Sequence, residues 1–124
     1  MPDRDPLTER IIGAAIEVHR NLGPGLLESA YEECLSLELS TQGLNHRRQV
    51  QLPITYKGNK IEPGFRADIV VEHSVLLELK AVETLAPLHE AQILTYLKLS
   101  GIATGLLMNF NATPLKRGIK RFVN

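Results

Sequence analysis

The sequence has few of the features that mark secreted or membrane proteins. It contains a single cysteine and no tryptophan among 124 residues. One cysteine, Cys34, cannot form an intramolecular disulfide, which favours a reducing, cytoplasmic compartment. No apolar run approaches the roughly 20 residues of a membrane span, and the first ten residues, MPDRDPLTER, are too polar for a secretory signal. We therefore expect a single domain over residues 1–124, with no membrane partner.

Acidic residues are missing from the last part of the chain. The formal net charge is zero, but no Asp or Glu follows Glu90. This tail carries five basic residues, Lys98, Lys116, Arg117, Lys120 and Arg121. Such a segment can hold phosphate groups, and Lys120 and Arg121 are our candidate substrate contacts. A solvated strand whose charges only aid solubility is an equal alternative.

Two apolar runs, Ala67–Val71 and Val75–Leu79, predict a pair of buried strands joined by a tight turn. Charged residues interrupt this apolar stretch at Asp68, Glu78 and Lys80. If the strands form a hairpin, Asp68 lies close to Glu78, and Glu78 and Lys80 share a face. Burying these charges is unfavourable unless they are paired or bind an ion.

These three residues allow two interpretations. In the first, Lys80 neutralises a carboxylate in a structural ion pair. In the second, Asp68 and Glu78 bind Mg²⁺, which takes one or two carboxylates and keeps several waters. A lysine beside such a site can orient a metal-bound water and stabilise the negative charge that develops during phosphodiester cleavage.

The spacing of Asp68, nine residues, then Glu78-Leu79-Lys80 resembles the PD-(D/E)XK nuclease signature, with Ala67 in place of the proline. The segment 25–31, GLLESAY, together with the preceding IIGAAIEVHRNLGPG, resembles the GxxExxY family, which is grouped with that nuclease superfamily. The resemblance extends from Ile11 to about Phe122.

This resemblance implies site residues beyond Asp68, Glu78 and Lys80. Glu28 becomes a third metal ligand, although a carboxylate in the first turn of a helix also stabilises the helix dipole. Gln92 and Tyr96, four residues apart on one helix face, match a QxxxY motif that lines the site in related nucleases. His19 and Tyr31 are expected to line it as well, with a partly buried, hydrogen-bonded His19 as the alternative.

The predicted fold is α/β, a restriction-endonuclease-like core with a mixed sheet of about four to six strands flanked by helices. The acidic site is expected where the central strands diverge. The predicted elements are helices from Thr8 to about Arg20, from Leu26 to Gly43 and from Pro87 to Ser100, strands His46–Tyr56 and Gly105–Phe110, and a final strand or tail over Lys116–Val123. Pro53 indicates an edge strand or a bulge.

The leading functional hypothesis is a Mg²⁺- or Mn²⁺-dependent nuclease that hydrolyses DNA phosphodiester bonds. The alternatives are a catalytically silent module that binds nucleic acid or protein, and a structural subunit whose acidic site is only an ion-pair network. A small core often dimerises to reach both strands of a duplex, so a homodimer is expected.

Overall fold

The computed structural model describes residues 5–124, so residues 1–4 of the predicted domain lie outside the described part of the chain. No helix within 5–124 is long and apolar enough to cross a membrane. In chain order the elements are α1 (Pro6–Leu22), α2 (Glu28–Thr41), β1 (His46–Tyr56), β2 (Asn59–Val71), β3 (Val75–Lys80), α3 (Pro87–Ser100), β4 (Thr104–Asn109), a 3₁₀ helix (Leu115–Gly118) and β5 (Ile119–Val123).

The five strands form one mixed sheet in sequence order, which confirms the predicted architecture. β1, β2 and β3 form an antiparallel meander. β4 pairs with β3 in parallel, because α3 carries the chain back to the same end of the sheet. β5 then pairs antiparallel with β4. The central strand, β3, is buried over its first five residues, as its continuous apolar sequence requires.

A hydrophobic cluster covers each face of the sheet. On one face, residues of α1 and α2, including Ile11 and Leu35, pack against β3 and β4. On the other face, Ile93 and Leu97 of α3 pack against Leu76 and Leu107. The sheet is therefore enclosed between α1 and α2 on one side and α3 on the other.

Three predicted boundaries are wrong for identifiable reasons. α1 is capped by Asp5 instead of Thr8, because the Asp5 carboxylate accepts hydrogen bonds from the Leu7 amide and the Thr8 hydroxyl. α2 starts at Glu28, not Leu26, since Leu27 is still extended. β2 begins at Asn59, well before Ala67, because its first half pairs with β1 alone.

The first half of β2 and the end of β1 form a two-stranded projection, which we call the β1–β2 arm (residues 51–66). β2 pairs with β3 only from Ile69 to Val71, whereas its pairing with β1 continues to the Tyr56–Asn59 pair. The register shifts between Leu52 and Ile54, so the bulge predicted from Pro53 is present. β1 is also an edge strand of the sheet.

Candidate active site

Asp68 and Glu78 lie where β2 and β3 separate. The regular backbone pairing of β2 with β3 ends at the pair Ile69–Leu77. Beyond it, backbone amides donate hydrogen bonds to carboxylate side chains instead of to backbone carbonyls. The Asp68 amide donates to Glu78 Oε2 over 2.9 Å, and the Leu79 amide donates to Asp68 Oδ2 over 2.8 Å. The two carboxylates therefore join the diverging strands and lie beside each other, as the hairpin prediction requires.

Burial and neighbouring negative charges raise the pKa of both carboxyl groups in this pair. Glu78 is only 6% exposed, and burial, followed by the charge of Asp68, raises its pKa to about 8. Burial also raises the pKa of Asp68, and the negative charges of Glu32 and Glu28 add to that increase. Two carboxyl groups held side by side away from water repel each other when ionised, and a divalent cation relieves that repulsion.

The pair fits a hard cation through the chemistry of its donors. Mg²⁺ is bound in proteins through one or two carboxylates plus waters, and Mn²⁺ prefers the same oxygen ligands. Each carboxylate uses one oxygen for a backbone amide, Asp68 through Oδ2 and Glu78 through Oε2. Asp68 and Glu78 would hold the ion through the oxygen lone pairs that these hydrogen bonds do not use.

Glu28 lies beside the pair at the start of α2. Its Oε2 accepts a hydrogen bond from the Ala81 amide over 3.1 Å, just beyond the end of β3. Its negative charge contributes to the raised pKa of both Asp68 and Glu78. However, residues 5–124 contain no group of three or more His, Cys, Asp or Glu side chains arranged to hold a metal ion. Glu28 is therefore close to the site without completing a three-ligand set.

Lys80 ends β3, two residues after Glu78, and is half-buried. Its positive charge lowers the pKa of both Asp68 and Glu78. Within the described residues it forms no salt bridge with either carboxylate. This geometry disfavours the structural ion-pair interpretation and leaves the ammonium group available near the acidic pair.

Comparison with protein-family models agrees with this geometry. The model of the PD-(D/E)XK nuclease superfamily matches residues 5–122. The chain belongs to the PD-(D/E)XK nuclease superfamily. Comparisons with curated proteins and with solved structures returned no significant match.

Tyr96 connects this PD-(D/E)XK site to α3. Its ring stacks on Phe65 with centroids 4.4 Å apart. Burial raises the pKa of Tyr96, and the charges of Glu78 and Asp68 raise it further. Gln92 lies one turn earlier on α3 and is half-buried, and its side chain forms no hydrogen bond with the described residues. The structure thus brings Tyr96 to the site, with Gln92 on the same helix face.

Tyr31 has a structural task outside the acidic pair. Its hydroxyl donates to the Gly23 carbonyl over 2.6 Å and accepts from the Leu26 amide over 3.1 Å. The fully buried ring stacks on Phe110 with centroids 4.5 Å apart. Tyr31 therefore stabilises the loop between α1 and α2, and Glu28 follows directly after this loop.

His19 packs near the same ring, with 6.4 Å between the His19 and Phe110 centroids. Its Nε2 atom is buried and has no hydrogen-bond partner among the described residues. Hydrogen bonding of this nitrogen, our alternative interpretation of His19, is therefore absent from the described structure.

Lys120 and Arg121 are neighbours on β5, so their side chains point to opposite faces of the sheet. Lys120 Nζ lies 2.5 Å from Glu90 Oε2 on α3. The two candidate phosphate contacts are therefore separated, and the Lys120 ammonium group is engaged by an acidic side chain.

Sequence reasoning missed Glu32, a carboxylate on α2 that is only 7% exposed. Glu32 Oε2 accepts from Arg48 Nε over 2.9 Å, and its Oε1 accepts from Gln49 Nε2 over 2.6 Å. Its charge raises the pKa of Asp68. Its spacing of four residues from Glu28, on the same face of α2, was the available signal.

Proposed function

We propose that this chain is a Mg²⁺- or Mn²⁺-dependent nuclease that hydrolyses DNA phosphodiester bonds. The main support is the position of Glu78, which is buried, beside Asp68, which is half-buried, at the point where β2 and β3 separate. A half-buried lysine follows on the same strand. Membership of the PD-(D/E)XK nuclease superfamily supports a nucleic-acid substrate.

The residues divide the work as follows. Asp68 and Glu78 would hold the metal, and Glu28 would add a ligand or bind a water of the ion. When bound, the ion polarises the phosphate and lowers the pKa of its water. Lys80 orients the attacking water and stabilises developing negative charge. Gln92 and Tyr96 position the substrate or Lys80.

Within the superfamily we place the chain among the GxxExxY proteins. Each named position of that string has a structural role. Gly25 has a φ of 102°, Glu28 accepts from the amide after Lys80, and Tyr31 fastens the intervening loop. The string therefore sets the position of Glu28 relative to β3.

A catalytically silent binding module is the second candidate. One observation favours it: residues 5–124 contain no arranged group of three or more metal-ligating side chains. This candidate predicts nucleic-acid or protein binding without metal-dependent cleavage. A homodimer is compatible with either candidate.

Metal binding at the acidic pair is tested with Glu78→Gln. The amide oxygen of the substituted side chain still accepts from the Asp68 amide, so the strand connection survives while the charge is lost. Mn²⁺ affinity, measured by calorimetry at pH 8, is expected to fall at least about tenfold, or about 1.4 kcal/mol. Glu83→Gln, at an exposed position after β3, is the control. Equal affinity in wild type and Glu78→Gln would refute the site.

The basic tail is tested by salt dependence. Because Lys120 and Arg121 point to opposite faces of β5, we expect only one of them to contact a phosphate. Lys120→Ala combined with Arg121→Ala should then reduce the slope of log affinity for DNA against log salt by about 0.9. An unchanged slope would leave β5 as a solvated strand.

A further inference from the structure

The β1–β2 arm (residues 51–66) extends beyond the body of the sheet. The backbone pairing of β2 with β3 ends at the Ile69–Leu77 pair, while β1 and β2 continue together to the Tyr56–Asn59 pair. A two-stranded ribbon alone is marginally stable. The arm therefore depends on contacts at its base, and most of its outer half is exposed to solvent.

The base of the arm is anchored next to the acidic pair. Phe65 stacks on Tyr96 of α3 with centroids 4.4 Å apart. Leu52, on the other strand of the arm, packs against the hydrophobic cluster that contains Ile93 and Leu97 of α3. Phe65 itself lies three residues before Asp68 on β2. One aromatic contact thus connects the arm to the candidate catalytic centre.

A bulge holds the two strands of the arm close together. Residues 62–64 of β2 lie opposite the single position 53 of β1, because the pairing passes from Leu52–Phe65 to Ile54–Ile61. A Cβ atom on Gly64 would lie 2.7 Å from the Ile54 backbone nitrogen and 2.9 Å from the Leu52 carbonyl oxygen. Only glycine fits there, and such bulges bend and twist a ribbon.

The outer half of the arm is basic and carries exposed apolar groups. Lys57 and Lys60 flank the turn, and Glu62 is the one acidic residue between 51 and 66. Lys60 Nζ lies 3.1 Å from Glu62 Oε1 in an exposed pair, which contributes little to stability. Tyr56 and Ile61 are 61% and 44% exposed. This surface combines positive charge with side chains that can contact base edges.

We propose that the β1–β2 arm enters the major groove of duplex DNA and holds that substrate against Asp68 and Glu78. This inference rests on the proposed nuclease function. The major groove of B-form DNA is about 12 Å wide and admits a two-stranded β-ribbon. The six residues of β1 in the arm, 51–56, give it a reach of roughly 20 Å. The deep, narrow major groove of A-form RNA excludes such a ribbon.

The test compares Lys57→Ala/Lys60→Ala with a matched pair of exposed basic residues on α1, away from the arm, Arg10→Ala/Arg20→Ala. Each pair contains one residue in an exposed salt bridge, Lys60 with Glu62 and Arg20 with Glu17. Binding to a fluorescent DNA duplex of about two helical turns, roughly 20 base pairs, is measured by anisotropy at several salt concentrations. EDTA in the buffer separates binding from cleavage.

We expect the arm variant to bind DNA about tenfold more weakly at about 0.1 M salt, with a slope smaller by about 1.8 for two lost phosphate contacts. The matched control should keep both values. Wild-type protein should bind the same sequence as double-stranded RNA more weakly, and the arm substitutions should affect that binding little. Circular dichroism melting checks that both variants are folded.

Three results would overturn the proposal. Unchanged DNA affinity, or an equal loss on DNA and RNA duplexes, would rule out groove insertion. A loss of DNA affinity that accompanies dissociation of a dimer, seen by sedimentation velocity, would assign the arm to self-association. Because binding is measured without metal, absence of Mn²⁺-dependent nicking would refute the nuclease function separately, while leaving the arm result valid.

Discussion

Lys80→Ala is expected to lower Mn²⁺-dependent nicking of plasmid DNA by about 10²–10³-fold. The ammonium group cannot ligate a metal, and within the described residues it forms no salt bridge with Asp68 or Glu78. Its proposed contribution is confined to charge that develops during cleavage. The substitution should therefore reduce turnover while Mn²⁺ affinity and most DNA affinity are retained.

Lys98→Ala, an exposed lysine on α3, is the matched control and should nick at the wild-type rate. Thermal melting distinguishes the alternatives. A structural ion pair would make Lys80→Ala destabilising by roughly 3–5 kcal/mol, which the absence of a direct pair within residues 5–124 argues against. A binding module would show no metal-dependent nicking in either protein. Undiminished nicking by Lys80→Ala would show that this lysine is not catalytic.

The second large effect is a dependence of stability on pH that comes from Glu78. In metal-free protein its pKa is about 8, against an ordinary value of 4.5. Between these values the folded protein binds a proton that the unfolded chain has released. The contribution of Glu78 to the free energy of unfolding is therefore largest below about pH 4.5 and falls as pH rises toward 8, at up to about 1.4 kcal/mol per pH unit.

Urea unfolding in EDTA at about pH 5, 6.5 and 8 measures this dependence. Glu78→Gln, which cannot ionise, should flatten it, and Glu83→Gln at an exposed position should not. The raised pKa of Asp68 acts in the same direction, so a smaller slope remains in Glu78→Gln. Wild-type stability that stays constant over this range would contradict the protonated state of Glu78.

The buried part of the fold could be predicted from sequence because burial leaves a pattern. The apolar runs around Asp68 and Glu78 predicted β3 and the adjacent half of β2. The charged residues within those runs were identified as candidate site residues because charges are unusual in buried strands. α3 was predicted with both ends correct, since Pro87 starts it and Gly101, with a φ of 76°, ends it.

The exposed and long-range features could not be predicted in the same way. The outer half of β2 has little apolar alternation because it contacts no second layer, so its pairing with β1 depends on the turn at Lys57 and Gly58. Glu32 was missed because its partners Arg48 and Gln49 are distant in sequence. Tyr31 was recognised by its motif, but its bonds to Gly23 and Leu26 depend on a loop conformation that no periodicity encodes.

The two side-chain bonds that join β2 to β3 have an evolutionary consequence. Asp68 and Glu78 each accept from a backbone amide, so they support the sheet and form the acidic pair at once. An amide side chain in place of either carboxylate retains an oxygen acceptor of the same shape but lacks the negative charge. A single Asp-to-Asn or Glu-to-Gln change would therefore remove the proposed nuclease chemistry without dismantling the architecture. Such a change provides a short path by which a descendant of the proposed nuclease becomes a protein that only binds nucleic acid.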